Sequence, residues 1–357
     1  MRKHLSKFFA VLLTMAMLAT VVSVMASAVN KKQKTLNYLI IGDSIAAGYG
    51  MNATGDNPDN GINQFTLHHG ELVEGTYPKL VSDAIGATTT VNTARESYTT
   101  ANYLRMIDPE YDAELAKPEN YYERFLSECT YIMPEIFGGV SDLGALKANM
   151  VRYIQEADII TIGIGNNDTF TASLLGPVFR TLYYTYGMAG QIPLTALKGQ
   201  LNAITSIDQL VEMAGGYSDL FTELARRVVI YEQNYDRLIK RILELNPDVS
   251  IYYCGMYNTF KDVQPADNDL VVMFREQGEV LSNELRDYVV NRSAYKNKVH
   301  YVAMPGVTVW PSVPITNVMF YMTFLVHCHP NYAGHQYMAN KLINAMYKYD
   351  GVGYKVY

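Results

Sequence analysis

Cysteine is scarce in this chain, which has three among 357 residues. An odd number of thiols permits at most one disulfide, so a disulfide framework cannot hold the fold together. The three residues are Cys129, Cys254 and Cys328. We expect mostly free, buried thiols, although the sequence leaves open a bridge between Cys254, at the end of a predicted strand, and Cys328.

An excess of basic residues is also missing. The chain carries 29 Lys and Arg against 35 Asp and Glu, a net charge of −6. No stretch of the sequence predicts a basic groove for a nucleic-acid backbone, so we expect no nucleic-acid partner. The acidic balance is also mildly unfavourable for binding to anionic membranes.

The chain lacks any Pro- or Gly-rich linker, internal repeat or low-complexity tract that would divide it. After an N-terminal segment, we therefore expect a single domain over residues 29–357. Short apolar runs alternate with helical patterns in this part, which is typical of an α/β fold with a parallel sheet. The clearest helix runs from about Thr222 to Leu245. Strands are predicted at residues 36–42, 88–93, 158–164, 249–254 and 299–303.

The first 28 residues have the composition of a signal peptide for export. A basic start, Met1–Lys7, precedes an apolar run from Phe8 to Met25, and Ala26-Ser27-Ala28 has the small-x-small form of a cleavage site. We expect cleavage after Ala28 and a secreted chain without stable membrane insertion. Because the apolar run reaches the lower end of spanning length, an uncleaved N-terminal membrane anchor is the alternative. Cleavage would leave 26 basic against 35 acidic residues, a net charge of −9.

A serine follows the first predicted strand directly, in the turn Gly42-Asp43-Ser44. In parallel α/β sheets ligands bind beyond the carboxyl ends of the strands, where a helix N-terminus adds backbone N–H donors. A nucleophile would be exposed at this place. Asp43 and Ser44 are, however, equally good residues for a simple turn or helix cap.

Two later segments place further polar residues in comparable positions. Gly165-Asn166-Asn167-Asp168 ends the strand predicted at residues 158–164. An asparagine amide there can donate to an oxyanion and stabilise a transition state by about 3 kcal/mol, and a turn held by Asx hydrogen bonds is the alternative. His329-Pro330 precedes a helical pattern late in the chain, and its imidazole would face the strand ends.

In this order the three blocks resemble those of the SGNH or GDSL-type hydrolase family of serine esterases and acylhydrolases. The resemblance spans nearly the whole chain after residue 28. It implies a flavodoxin-like three-layer α/β sandwich around a central parallel five-stranded sheet, and it implies no cofactor. Three stretches exceed what a minimal member of the family needs, and we expect helical insertions there: about 51–76, 108–150 and 169–220.

The resemblance also assigns roles to individual residues. Ser44 would be the nucleophile and His329 the general base of a serine hydrolase that cleaves carboxylic esters, such as acetylated carbohydrate or lipid esters. The oxyanion would be bound by the amides of Ser44 and Ser97 and by Asn167. The remaining residues of the blocks would support these groups: Asp43, Gly165 and Asp168.

Two positions depart from the family pattern. Ser97 stands where the family usually has a glycine, and it can still donate its backbone N–H if its φ and ψ suit a residue with a Cβ atom. Val326 stands where an aspartate would orient the base. A backbone carbonyl could orient His329, an acid could come from an insertion, or the site could be weakened, since the wrong partner there can cost about 10⁴ in turnover. A weakened protein that binds acylated glycans without efficient turnover is the alternative function.

Other residues of the sequence carry weaker signals. His327 and His329 are two residues apart, a spacing that shares a face only on a strand, and no fixed partner accompanies them or His68-His69. We therefore expect no metal site. Tyr183 and Tyr184 in the third insertion are candidates for a lid over the site, and ordinary packing of an inserted helical pair is the alternative.

Overall fold

Five parallel strands form the central sheet of the protein, in the order β2-β1-β3-β4-β5. The strands are β1 (Asn37–Gly42), β2 (Thr89–Asn92), β3 (Ile159–Gly163), β4 (Ser250–Cys254) and β5 (Val299–Val302). The structure, a computed structural model, describes residues 35–51, 71–136, 143–186, 195–196, 199–200, 203, 207–213, 215–259, 261, 269–309 and 329–356.

Both faces of this sheet are covered, as the sequence of β1 illustrates. Leu39 and Ile41 point to one face and belong to the main apolar core. Tyr38 and Ile40 point to the other face and are equally buried. A strand buried on both sides needs an almost continuous apolar sequence, and this is why β1 reads as an apolar run rather than as an alternating one.

Helices connect the strands and form the two outer layers. They are α1 (Ser44–Ala47), α2 (Tyr77–Ile85), α3 (Thr100–Ile107), α4 (Pro109–Leu115), α5 (Tyr121–Ile136), α6 (Leu143–Glu156), α7 (Ala172–Tyr186), α8 (Ile207–Met213), α9 (Tyr217–Leu245), α10 (Asp269–Asp287) and α11 (Tyr332–Asp350). Short 3₁₀ and π turns occur at Pro118–Asn120, Asn167–Thr171 and Tyr288–Arg292.

The helices divide between the two faces of the sheet. The core on the Leu39 side includes Leu104 of α3, Met150 of α6, Leu238 of α9 and Leu281 of α10. On the other side α2 and α11 pack against each other, and α11 contacts β4 and β5. The parallel sheet, its strand order and the helical layers confirm the predicted flavodoxin-like α/β sandwich.

The observed elements lie close to the predicted ones. Each strand is within one or two residues of its predicted bounds. Helix α9 begins at Tyr217, five residues before the predicted start at Thr222, because its N-cap is Gly216 and not a polar residue nearer the apolar pattern.

Where they are described, the second and third predicted insertions are helical. Most of the first insertion, residues 52–70 with His68-His69, lies outside the described residues, as does the predicted signal peptide of residues 1–28. The bounds of the domain therefore stay a prediction. Among the helices in the described part of the chain, none combines the length and the apolar character that a membrane crossing requires.

Candidate active site

The carboxyl end of β1 places Ser44 at the first position of α1. Asp43 caps this short helix, and its carboxylate accepts a hydrogen bond from the Ile45 N–H at 3.0 Å. The backbone of Gly42 is fixed by Tyr103, whose hydroxyl oxygen accepts from the Gly42 N–H at 3.1 Å and lies 2.8 Å from the Gly42 carbonyl oxygen. The N–H of Ser44 lies in the first turn of this helix, where backbone N–H groups have no intrahelical acceptor.

The imidazole of His329 lies directly beside the serine. Its Nε2 atom is 2.7 Å from Ser44 Oγ, a hydrogen-bond distance, and His329 is only 7% exposed. The structure therefore brings the predicted nucleophile and base together. Val326, His327 and Cys328, which precede the base, lie outside the described residues.

The segment that carries His329 is held by its neighbours after β5. Pro330 forms an antiparallel bridge with Val309. Asn331 donates from its backbone N–H to the Thr308 carbonyl at 3.1 Å and from its side chain to the Val309 carbonyl at 2.9 Å. Its side-chain oxygen also accepts from the Gly334 N–H and so caps α11. These bonds fix the start of α11 and, with it, the position of the base.

Ser97 has a left-handed backbone conformation, which glycine adopts more readily than serine. Its φ is 65°, and it is the only non-glycine with a positive φ in the part of the chain that the structure describes. An L-residue pays about 1–2 kcal/mol for this left-handed conformation, which glycine adopts freely. In the loop that we predict to bind the oxyanion, Ser97 therefore has a conformation that favours glycine.

Asn167 connects the end of β3 to this loop. Its side-chain amide donates to the carbonyl oxygen of Tyr98 at 3.1 Å. Because Tyr98 follows Ser97 directly, two of the predicted oxyanion donors lie on segments that touch each other. The third donor, the Ser44 amide, lies at the end of β1, which pairs with β3 through Gly42 and Gly163.

The two supporting residues of the β3 block act through packing and hydrogen bonds. Gly165 has a φ of 136°, and a Cβ atom there would lie 3.0 Å from the Tyr231 ring and 3.1 Å from Met256 Sδ. The buried carboxylate of Asp168 accepts from the Thr100 N–H at 2.9 Å and from the Thr100 hydroxyl. Asp168 thus holds the start of α3 against the end of β3.

Buried carboxyl groups surround the site. Burial raises the pKa of Asp43 to about 7, against the hydrogen bond from Ile45 and with a smaller contribution from the nearby Asp168 and Glu96. Burial also raises the pKa of Asp168 to about 6, although the hydrogen bonds from Thr100 oppose this. At the end of β1, an added negative charge is therefore unfavourable unless hydrogen-bond donors stabilise it.

Some residues at the site carried little signal in the sequence. Tyr103 and Thr100 fix the two strand ends, yet neither belongs to a recognisable block. Tyr49, which lies between Gly48 and Gly50, packs its ring against the imidazole of His329. His335 is fully buried, burial lowers its pKa to about 3, and its Nδ1 accepts from the Tyr77 N–H at 3.3 Å, so it is a neutral structural residue.

The lid candidates lie among packed helices. The Tyr183 ring contacts those of Tyr122 and Phe125 of α5, with centroids 5.6 and 5.4 Å away. Tyr184 is 70% exposed. These contacts correspond to ordinary packing between α5 and α7, the alternative to a lid.

Cys129 and Cys254 are free and buried, and Cys328 lies outside the described residues. Within the described ranges, no group of three or more His, Cys, Asp or Glu side chains is arranged to hold a metal ion.

The sequence model of the GDSL-like Lipase/Acylhydrolase family matches residues 40–337. No curated protein matches the chain. Among solved structures, an extracellular lipase from Streptomyces rimosus is 13% identical with a TM-score of 0.43, covering 87% of this chain and 100% of its own.

Two further solved structures show a similar likeness. Phospholipase A1 from Streptomyces albidoflavus is 11% identical with a TM-score of 0.40, over 86% of this chain and 98% of its own. A family 2 carbohydrate esterase with a carbohydrate-binding domain, from Myceliophthora fergusii, is 17% identical with a TM-score of 0.40, over 88% of this chain and 67% of its own.

Proposed function

Because the chain belongs to the GDSL-like lipase/acylhydrolase family and is an ester-bond hydrolase, we propose that Ser44 is its nucleophile and His329 its general base. The observation that carries this proposal is the distance of 2.7 Å between His329 Nε2 and Ser44 Oγ. At this distance a neutral imidazole can take the hydroxyl proton directly as the oxygen attacks.

The reaction proceeds through an acyl-serine ester. Ser44 Oγ attacks the carbonyl carbon of a carboxylic ester while its proton moves to His329 Nε2. The tetrahedral intermediate collapses, and the imidazolium returns the proton to the departing alcohol. Water then attacks the acyl-serine, again with His329 as base, and releases the acid and the free serine.

The negative charge on the carbonyl oxygen needs donors that are already in place. We assign this role to the backbone N–H groups of Ser44 and Ser97 and to the side-chain amide of Asn167. The left-handed φ of Ser97 supports its part, because this is the conformation that a glycine at the position would adopt. The hydrogen bond from the Asn167 amide to the same loop supports the role of Asn167 as a donor.

For the substrate we propose a neutral carboxylic ester, either an acylated carbohydrate or a lipid ester. The family supports acyl transfer, and the net charge of −9 after residue 28 favours uncharged over anionic substrates. We also propose that the protein is secreted, with cleavage after Ala28. The basic start, the apolar run and the Ala-Ser-Ala sequence support export, and N-terminal sequencing of exported protein should begin at Val29.

Hydrolysis of p-nitrophenyl acetate and labelling with a fluorophosphonate test the assignment. We expect wild type to turn over and to be labelled on Ser44, whereas S44A should do neither, and H329A should lose most turnover. S282A is the control, since Ser282 lies on α10 and its hydroxyl donates to the Gly278 carbonyl. Equal turnover by wild type and S44A would refute the nucleophile, and a wild type that neither reacts nor labels would favour a glycan-binding role.

A further inference from the structure

Tyr49 is hydrogen-bonded to Ser44, the proposed nucleophile. It lies in the turn after α1, between Gly48 and Gly50, which have left-handed φ values of 85° and 84°. Its backbone N–H donates to the carbonyl oxygen of Ser44 itself at 2.9 Å. The position of the Tyr49 ring is therefore set by the same short turn that sets the position of Ser44.

The ring of Tyr49 lies against the imidazole of His329. The two ring centroids are 4.8 Å apart, and the planes are inclined at 54°. Tyr49 is 3% exposed, so little water separates the ring from its surroundings. An aromatic ring attracts a cation within about 6 Å of its centroid, and this attraction grows when both groups are desolvated.

We propose that Tyr49 is a positioning residue of the Ser44–His329 pair, whose ring holds the imidazole against Ser44 Oγ and stabilises the imidazolium formed during the reaction. The inference rests on the proposed function, in which the proton leaves Ser44 Oγ for His329 Nε2. The O–H bond breaks, an N–H bond forms, and the imidazole ring gains one positive charge beside the aromatic ring. A general base starts the reaction neutral, so in the proposed mechanism this attraction develops as the proton arrives and is stronger in the transition state.

Other titratable groups also face this region. Asp43 comes from the end of β1, Glu96 from the loop after β2 and Asp168 from the end of β3, and both Asp168 and Glu96 act electrostatically on Asp43. His335 of α11 is close enough to His329 to interact with it, but burial keeps His335 neutral. Because these groups are the same in wild type and in Tyr49 variants, a difference between their pH profiles reports on Tyr49.

Two substitutions separate the ring from the hydroxyl. Y49F keeps the ring and should retain nearly full activity. Y49L removes the ring, and Y49M replaces it with an unbranched, more adaptable side chain should Y49L fail to fold. The matched control is Y252L: Tyr252 of β4 is also a buried tyrosine beside a histidine, with its ring 5.1 Å from that of His300, and its hydroxyl bonds Asp350 of α11.

For Y49L we expect kcat/KM to fall by about threefold to thirtyfold, which corresponds to the strength of a desolvated cation–π contact. The acid limb of its kcat/KM profile should move to lower pH by about half a unit to one unit, since the protonated base loses a stabilising contact. The imidazole titration of His329, followed by NMR, should shift in the same direction. Y252L should leave all three unchanged.

The proposal would be overturned by an unshifted acid limb and NMR titration in folded Y49L or Y49M, by Y49F being as defective as Y49L, or by Y252L showing the same shift. Fluorophosphonate labelling of wild type tests the proposed function separately. If Ser44 is not labelled, the proposed function fails, whereas the NMR titration of His329 still decides whether the Tyr49 ring stabilises the imidazolium.

Discussion

The side-chain amide of Asn167 donates to the carbonyl oxygen of Tyr98 at 3.1 Å and so joins the end of β3 to the loop that carries Ser97. In the free protein this bond holds the amide in place beside the loop. In the proposed mechanism the same amide group offers its second N–H to the oxyanion, so it does not need to reorganise when charge develops.

Replacement of Asn167 by alanine should therefore act on the chemical step. We expect kcat of N167A to fall by about 10²–10³, the usual effect of losing one oxyanion donor, with a smaller change in KM. Steady-state kinetics with p-nitrophenyl acetate would measure this. N166A removes the neighbouring asparagine and serves as control; an equal loss in both variants would point to damage of the turn.

Ser97 stores backbone strain that glycine would relieve. Since glycine adopts a φ of 65° without penalty but loses more chain entropy on folding, S97G should raise stability by up to about 1 kcal/mol. Urea denaturation measures this. Because the proposed donor is the backbone N–H, S97G and S97A should both keep kcat within about threefold of wild type. A large loss of kcat in both variants would mean that the hydroxyl is needed instead.

Asp43 should make the stability of the protein fall as pH rises. Burial raises its pKa in the folded state to about 7 from an ordinary value of 3.8, so the folded state retains a proton that the unfolded chain releases between these values. By linkage, stability falls with rising pH through this window and the contribution levels off above it. An asparagine in place of Asp43 would have no proton to lose and could still accept the hydrogen bond from the Ile45 N–H.

The D43N variant tests the direction of this pH dependence of stability. At pH 8 we expect it to exceed wild type in stability by on the order of 2 kcal/mol, with a smaller difference at pH 5. Urea denaturation over pH 5–8 gives both slopes. The buried Asp168, with a pKa of about 6, should leave a residual decline in the variant. Parallel slopes for the two proteins would show that Asp43 does not titrate in this range.

Asp168 should contribute mainly to stability. Its removal in D168A leaves the N–H and the hydroxyl of Thr100 buried without their acceptor, which we expect to cost about 2–3 kcal/mol. The control is D158A at the opposite end of the same strand, where Asp158 accepts from the Asn37 N–H in a partly exposed bond. Thermal denaturation should show a clearly larger loss for D168A, and equal losses would contradict a special role for the Thr100 contact.

Much of the fold was accessible from local sequence. Apolar β-branched runs such as Ile159–Gly163 give strands that are buried on both faces, and a helical pattern between consecutive runs leaves a parallel sheet as the simple solution. The rule that polar residues after parallel strands meet at one edge also predicts that Ser44 and Asn167 lie near each other. The sequence predicted helix α9 but not its first residue, because its N-cap, Gly216, has no side chain that would mark a helix start.

The rest of the site depends on contacts that no local pattern encodes. Tyr49 meets His329 only because the segment before α11 lies beside the end of β1, where His329 contacts Ser44. The pKa of Asp43 depends on how completely later elements cover it, and the acceptor of the Thr100 N–H lies 68 residues further along the chain. Residue type alone also did not decide whether the backbone N–H of Ser97 can act as a donor. This depends on a φ value that the surrounding fold imposes.

The hydrogen bond between His329 and Ser44 joins residues that are 285 positions apart. At ordinary rates of protein synthesis, about 5–20 residues per second, Ser44 is present for roughly 15 s to one minute before His329 is synthesised. During this time no neighbour is present to activate its hydroxyl. With Ser44 and His329 as the proposed nucleophile and base, ester hydrolysis begins only when the segment that carries His329 has docked beside Ser44.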